Sequence, residues 1–241
     1  MLPIIATPKY DMIVPSTGQS ITYRPYVVKE EKILLIALES ESEIAIERAV
    51  TDIIKACLET PLDIKTLTMF DIEFMFTTLR SKSVGEGIDV VLNCDNEECD
   101  ATQKIKINLD DVYVANLETA GENMNVKIND DVSVDLKYLG YSDNLTQGQR
   151  TTETEAAINM VAKTIETIYS GEETFACKDA PFKEVVSFVE SLNNDQFAKV
   201  IKFMQDSPVI TYDIEYKCKV CGTDNVKTLR GLTDFFRSPF T

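Results

Sequence analysis

Two close pairs of cysteines are the residues in this sequence whose types and spacing could do chemistry. Cys94 and Cys99 form a C-x4-C pair, and Cys218 and Cys221 form a C-x2-C pair. Both spacings are typical of the chelating loops of structural zinc sites. Four thiolates would complete a tetrahedron around one ion and leave no open coordination position. The sequence therefore predicts a structural zinc site rather than a catalytic one.

The two pairs are far apart in the chain, since residues 100–217 lie between them. Alternating apolar and polar residues predict strands at 88–92 and 103–107 around the first pair, and at 209–216 and 226–229 around the second. We therefore expect a split zinc ribbon, in which two hairpins distant in sequence are adjacent in space. Gly222 follows the second pair and permits the positive φ that a tight thiolate turn favours.

Other uses of the four cysteines stay open at this point. A disulfide within a pair would suit a secreted chain, but the first residues lack the pattern of a secretory signal. A redox-active C-x-x-C requires a βαβ setting, whereas Cys218 and Cys221 are predicted to lie in a hairpin. An iron–sulfur cluster and thiols without metal are further alternatives. Cys57 is expected in the core, and Cys177 is assigned no role.

An α+β fold is predicted to position these hairpins. Prolines break residues 1–30 into an extended segment, and apolar residues at helical spacing follow it. Ser42 is an expected N-cap, and Asn194 or Asp195 another. Helices are predicted at 30–38, 42–58, 63–79, 152–169, 181–192 and 196–204, with further strands at 20–28, 111–114, 124–128 and 132–138. The expected regions are an N-terminal strand and helical region (1–85), β-hairpins with the first zinc loop (86–140), a helical region (141–207), and a C-terminal zinc hairpin and tail (208–241) that packs with 86–140.

Composition removes several classes of function. The chain has 241 residues, no histidine and a formal net charge of −16. Without histidine there is no Ser-His-Asp or Cys-His site and no histidine metal ligand. The acidic balance opposes binding to nucleic acid, which needs a basic face. Apolar runs are too short for a membrane span, so no membrane insertion is expected.

An ordered series of short motifs opens the chain and another ends it. These are a Pro-Ser-x-Gly turn, an Arg-Pro-aromatic strand, a Lys-Glu-Glu-Lys segment, an apolar helix that ends in Glu-Ser, and an apolar tail (residues 15–18, 24–26, 29–32, 33–40 and 232–236). The series resembles the baseplate hub protein family of T-even-type contractile-tailed phages, most strongly over about residues 1–80. The resemblance implies a hub component or hub assembly factor without enzymatic activity. It also implies other baseplate and tail proteins as partners, and a location in the host cytoplasm during assembly or in the tail baseplate of the virion.

Within these motifs, Arg24, Pro25, Tyr26, Phe235 and Phe236 are the candidate residues for binding a partner. Arg24 is expected either to form a bidentate ion pair with Glu39 or Glu31 or to be a solvated strand residue. Pro25 indicates an edge strand, which a partner chain could extend. Tyr26 either docks a partner or packs on the first helix.

Other functions compete with this interpretation. A zinc-ribbon adaptor could use its acidic surface to regulate a nucleic-acid enzyme. A redox protein would use Cys218 and Cys221, and a carboxylate hydrolase has no residue-level support. The negative charge either keeps the chain soluble or complements basic partners. The sequence leaves the oligomeric state open.

Overall fold

The computed structural model describes residues 5–40, 42–122, 124–140, 143 and 152–236. In these residues the chain forms seven α-helices and eleven β-strands, and the sheets are antiparallel, which confirms the α+β class. The helices are α1 (Val28–Glu39), α2 (Glu43–Cys57), α3 (Met69–Val84), α4 (Glu153–Thr164), α5 (Phe182–Glu190), α6 (Asn194–Gln205) and α7 (Gly231–Phe236). The strands are β1 (Tyr10–Ile13), β2 (Ser20–Tyr23), β3 (Gly87–Asn93), β4 (Thr102–Asn108), β5 (Tyr113–Ala115), β6 (Asn125–Lys127), β7 (Val132–Leu136), β8 (Ile165–Ser170), β9 (Glu173–Ala176), β10 (Val209–Lys217) and β11 (Asp224–Arg230).

The chain divides into two compact units. Unit one comprises the described parts of Met1–Ile64, Phe70–Ala115 and Pro208–Thr241, and unit two those of Lys65–Met69 and Asn116–Ser207. In the chain, most of unit two therefore lies between β5 and β10. No helix within the described ranges is both long enough and apolar enough to cross a bilayer.

Unit one begins with a hairpin of β1 and β2, closed by the predicted Pro-Ser-x-Gly turn. The Gly18 N–H donates to the Val14 carbonyl at 2.8 Å, and Gly18 has a φ of 67°. The predicted strand 20–28 is too long, because β2 ends at Tyr23 and the Arg24 N–H donates to the Cys57 carbonyl at 3.0 Å. The prediction that Pro25 marks an edge strand is therefore wrong, since Pro25 is buried in the connection to α1.

The first two helices lie within two residues of their predicted bounds, whereas the third does not. The Ser42 hydroxyl accepts the Ala45 N–H at 3.4 Å, which confirms Ser42 as the N-cap of α2. The helix predicted at 63–79 instead begins at Met69 and runs to Val84. A short 3-10 helix, Ile64–Thr66, precedes it. Buried residues lie on several sides of α3. Its apolar residues therefore lack the one-sided helical spacing from which the ends of a helix can be predicted.

Two sheets of unit one carry the cysteine loops. β3 pairs with β4, and β10 lies between β11 and β5. Alternate residues of these strands share one apolar core with the end of α7. Its buried members are Val90, Ile107, Leu109, Val112, Ile210, Ile214, Leu229 and Phe235.

Unit two contains the sheet β6-β7-β8-β9 and helices α4, α5 and α6. The prediction of one helix over 152–169 is wrong beyond Thr164, because Ile165 adopts an extended conformation and begins β8. β-branched and aromatic residues there pair with β7 instead. The cap of α6 is Asn193, not Asn194 or Asp195. Residues 141, 142 and 144–151 of the predicted helical region lie outside the described residues.

Candidate metal centre

The ends of the two cysteine hairpins meet in unit one. The four sulfur atoms of Cys94, Cys99, Cys218 and Cys221 all lie within 4.8 Å of one another. The Cys94 and Cys221 sulfurs are 3.5 Å apart, and those of Cys99 and Cys218 are 3.9 Å apart. A zinc ion bound tetrahedrally at about 2.3 Å would set its sulfurs about 3.8 Å apart. Both distances are far longer than the about 2.0 Å of a disulfide.

Each loop is fixed by its own backbone hydrogen bonds. In the first loop the Cys94 N–H donates to the Ala101 carbonyl at 3.0 Å, and the Cys99 N–H donates to the Asn96 carbonyl at 2.8 Å. In the second loop the Gly222 N–H donates to the Cys218 carbonyl at 2.9 Å. Gly222 has a φ of 77°, as its place after the second pair predicted. These turns direct both sulfurs of a loop to one side.

Asn225 joins the two hairpins directly. Its side-chain oxygen accepts the Asp95 N–H at 2.7 Å, and its side-chain nitrogen donates to the Thr223 carbonyl at 2.8 Å. Asn225 is 2% exposed, so few water molecules compete for these bonds. The Lys227 ammonium forms an ion pair with the Asp95 carboxylate beside them.

Two further side chains bridge the hairpins. The Tyr216 hydroxyl donates to the Asn93 carbonyl at 2.6 Å. The Gln103 amide donates to the Lys217 carbonyl and accepts the Lys219 N–H, both at 3.2 Å. Sequence reasoning missed all of these residues. Only Asn225 could have indicated such a contact, because asparagine is disfavoured within a strand unless its side chain has a specific partner.

The four thiols influence one another because they are so close. The Thr223 hydroxyl, 3.2 Å from the Cys221 sulfur, and the Thr223 N–H lower the pKa of the Cys221 thiol to about 6. The Ala101 N–H lowers the pKa of Cys99, but the neighbouring thiol of Cys221, burial and Cys218 outweigh it and raise that pKa to about 12. The N–H groups of Cys221 and Val220 lower the pKa of the Cys218 thiol as well, so Cys221 and Cys218 ionise more readily than Cys99, and thiolates this close repel one another. A bound cation would relieve this repulsion, because metal ligation requires the deprotonated form.

The donor set fits a soft or borderline metal ion. Four sulfur atoms at these separations can hold one ion with tetrahedral geometry and leave it no open position. Among the residues that the structure describes, these four cysteines are the candidate metal ligands that lie close together. The structure thereby confirms that the two predicted loops are adjacent.

The residues predicted to bind a partner lie mostly in the interior. Pro25, Tyr26 and Phe235 are buried, and the side chain of Phe236 lies outside the described ones. Arg24 does form an ion pair, but the expected partners Glu39 and Glu31 are wrong. Its guanidinium donates to Glu30 at 2.8 Å, because that carboxylate turns back to accept the Val27 N–H at the start of α1. Their role in binding a partner stays a prediction.

The remaining two cysteines are not members of the cluster. Cys57 is fully buried, as expected for a core residue, and burial raises the pKa of its thiol to about 11. Cys177 packs partly buried against the core of unit two. Neither belongs to the group of four clustered sulfurs.

Comparison with known proteins agrees with the opening and closing motifs. No curated protein and no solved structure matches the chain. Residues 7–237, which include both units and all four clustered cysteines, match the family described as T4 bacteriophage base plate protein. A match of that extent covers almost the whole sequence, and so this chain belongs to the T4 bacteriophage base plate protein family.

Proposed function

We propose that this chain is a non-enzymatic structural or assembly protein of the baseplate hub of a contractile phage tail, stabilised by one structural zinc ion. The match to the baseplate family over residues 7–237 carries the proposal. The hub position rests on the resemblance of the opening motifs at residues 15–40. The zinc ion rests on the geometry of the four cysteines.

Zinc suits this site better than iron or a redox role does. When bound, it would supply charge that holds four thiolates together without changing its oxidation state. Cys94, Cys99, Cys218 and Cys221 would be its ligands, and the side chains of Asn225, Tyr216 and Gln103 hold the two loops in place around it. Such a closed site stabilises a fold and leaves no position for a substrate.

The surface chemistry supports a role in contacts between proteins. The chain carries a formal net charge of −16, which favours encounter with basic surfaces of other baseplate and tail proteins. The same charge disfavours nucleic acid as a partner. We propose that the protein is present in the host cytoplasm during assembly and then in the tail baseplate.

Affinity capture from infected cells tests the partner class. A phage lacking this gene would be complemented with a tagged copy, and the captured proteins identified by mass spectrometry. We expect other tail proteins, and we expect the chain in purified virions if it is a permanent component. Capture of a polymerase with no tail protein would overturn the proposal and favour the acidic adaptor.

Metal analysis tests the site independently. Purified protein should contain about one zinc per chain, as a closed four-thiolate site requires. Cys218→Ser should lose most of that zinc. Cys177→Ser is the matched control and should keep it, because Cys177 lies outside the cluster. Iron in place of zinc, or full zinc content in Cys218→Ser, would contradict the assignment.

A further inference from the structure

The outward face of α1 carries apolar side chains that are open to solvent. Val28 is 78% exposed, Ile36 55%, Ile33 47% and Leu35 46%. The opposite side of the helix is already buried through Glu30, Leu34 and Ala37. A surface helix normally places charged residues opposite its buried face. An apolar group of this kind on a folded protein indicates a contact surface.

Two opposite charges flank the middle of this outward face. Lys32 and Glu39 are exposed and seven residues apart, which places them two turns apart on the same side of α1. Within the part of the chain that the structure describes, neither forms an ion pair, whereas Lys29 contacts Glu30 at 3.3 Å. Leu35 and Ile36 lie between the two charges. The face therefore has a basic end, an apolar centre and an acidic end.

We propose that α1 packs antiparallel against α1 of a second copy of this chain. An antiparallel register that sets Lys32 of one copy opposite Glu39 of the other forms the same pair twice, as a twofold axis requires. The same register sets Leu35 opposite Ile36 at the centre. The charge pattern of the face is thus complementary to itself, and it needs no other partner to be satisfied.

The rest of the chain limits the strength of this contact. Each copy carries a formal net charge of −16, so two copies repel each other at long range. The outward face of α1 is locally balanced, which makes it a surface where two copies can meet. One helix face is smaller than a standard interface of about 800 Å² per partner. We therefore expect a dissociation constant on the order of 10–100 µM.

Sedimentation velocity of the full chain tests the proposal. Concentrations from about 1 to 300 µM should show a reversible monomer–dimer equilibrium at about 0.15 M salt, where the Debye length is about 8 Å. Ile36→Lys should remain monomeric over this range, because it places a charge in the apolar centre. Val84→Ser is the matched control and should dimerise normally, since Val84 is 52% exposed at the end of another helix.

A charge exchange tests the antiparallel register. Lys32→Glu or Glu39→Lys alone should weaken the association constant roughly five- to tenfold, because each puts like charges opposite each other twice. The double variant should return to within about twofold of the original, since the two pairs form again with reversed sign. Circular dichroism would verify that every variant is folded.

Three results would overturn the proposal. These are a wild-type chain that stays monomeric throughout, an Ile36→Lys variant that dimerises as the wild type does, and a double variant no better than the singles. Occupation of α1 by a different tail protein would give the first result. None of these results depends on the metal content or on recovery of tail proteins, so the proposed function stands or falls separately.

Discussion

The backbone N–H of Asp95 donates to the side-chain oxygen of Asn225 at 2.7 Å, and this bond joins the first cysteine loop to the strand that follows the second. Asn225 is buried, and its amide nitrogen is used as well, by the Thr223 carbonyl. One side chain thus satisfies backbone groups from both hairpins. The loops are aligned by protein contacts in addition to any shared ion.

Asn225→Ala should weaken both the fold and the metal site. It removes two partly buried hydrogen bonds, one from the Asp95 N–H and one to the Thr223 carbonyl, which should lower the free energy of unfolding by about 1–3 kcal/mol. Metal affinity should fall about 10–100-fold, as for other residues that orient ligands. Urea denaturation and competition with a chelator would measure the two effects. Val226→Ala, at an exposed position next in the chain, should change neither, and equal losses in both variants would contradict the argument.

Metal removal should loosen unit one selectively. Both hairpins end at the four cysteines, whereas unit two has its own apolar core and contains none of the four. Hydrogen exchange after chelation should therefore accelerate in β3, β4, β10 and β11 and stay nearly unchanged in β7 and β8. Equal acceleration in β7 and β8 would contradict the independence of the two cores. Restoring zinc to the same sample is the control for irreversible damage.

Glu73 should make the stability of unit one depend on pH. Burial raises the pKa of the Glu73 carboxyl to about 7. The Leu232 N–H at the start of α7 donates to this carboxylate at 3.2 Å and lowers the pKa, but its effect is smaller than that of burial. An unfolded glutamate titrates near pH 4.3. Between these values the folded chain holds one more proton than the unfolded chain, so the Glu73 contribution to stability falls as pH rises from about 4.3 to 7.

Glu73→Gln should remove this dependence. The amide oxygen can still accept the Leu232 N–H, and the variant should be more stable than the wild type by about 2–3 kcal/mol above pH 7. Urea denaturation at pH 6, 7 and 8 would measure the difference in free energy of unfolding between the variant and the wild type. Cysteine protonation affects both proteins equally and therefore cancels in this difference. The exposed control Glu172→Gln should show no such trend. A constant difference across this range would rule out titration of Glu73.

Arg24→Met should destabilise the N-terminal hairpin and helices. The Glu30 side chain is only 3% exposed, and the substitution would leave its charge buried without Arg24. We expect a loss of about 2–4 kcal/mol, measured by urea denaturation at pH 7. Lys9→Met breaks a pair of exposed side chains with Glu59 and should cost much less, because solvent screens that pair. Similar losses in both variants would show that burial of Glu30 does not govern the effect.

The ion pair of Arg24 and Glu30 stops contributing to stability at low pH. Burial alone would raise the pKa of Glu30, but hydrogen bonds from Arg24 and the Val27 N–H and the charge of Arg24 outweigh it and lower the pKa below its usual value. The stabilisation is therefore present above the unfolded pKa of about 4.3 and is lost as pH falls through the folded pKa. The stability difference between wild type and Arg24→Met should shrink below about pH 4. A difference that grows with acid would contradict the pairing.

The sequence predicted the cysteine loops well because their chemistry is local. The spacing of Cys94 and Cys99, and Gly222 after the second pair, constrain a turn whatever surrounds it. The contacts of Asn225 and Gln103 were not predictable in the same way. Each pairs with a backbone group more than a hundred residues away, and backbone groups carry no residue-specific pattern.

The errors in the fold have a related cause. Ile165 continues the helical spacing of α4, yet it pairs with Leu136 of β7, and strand pairing overrode the periodicity. Several glutamates lie close to Arg24 in the sequence. Glu30 is its partner because the Glu30 carboxylate also accepts the Val27 N–H, which holds it beside the guanidinium. Tertiary contacts determine the strand at Ile165 and the partner of Arg24, whereas local sequence patterns determine the caps and turns.

The order of synthesis gives the split cysteine site a further property. Cys99 leaves the ribosome 119 residues before Cys218, and most of unit two is translated in the interval. At about 5–20 residues per second, the first pair waits roughly 6–24 s for the second. A nascent or truncated chain without the second hairpin cannot close the site. Closure therefore distinguishes a chain that has been translated through both hairpins from one that has not, before it enters a particle.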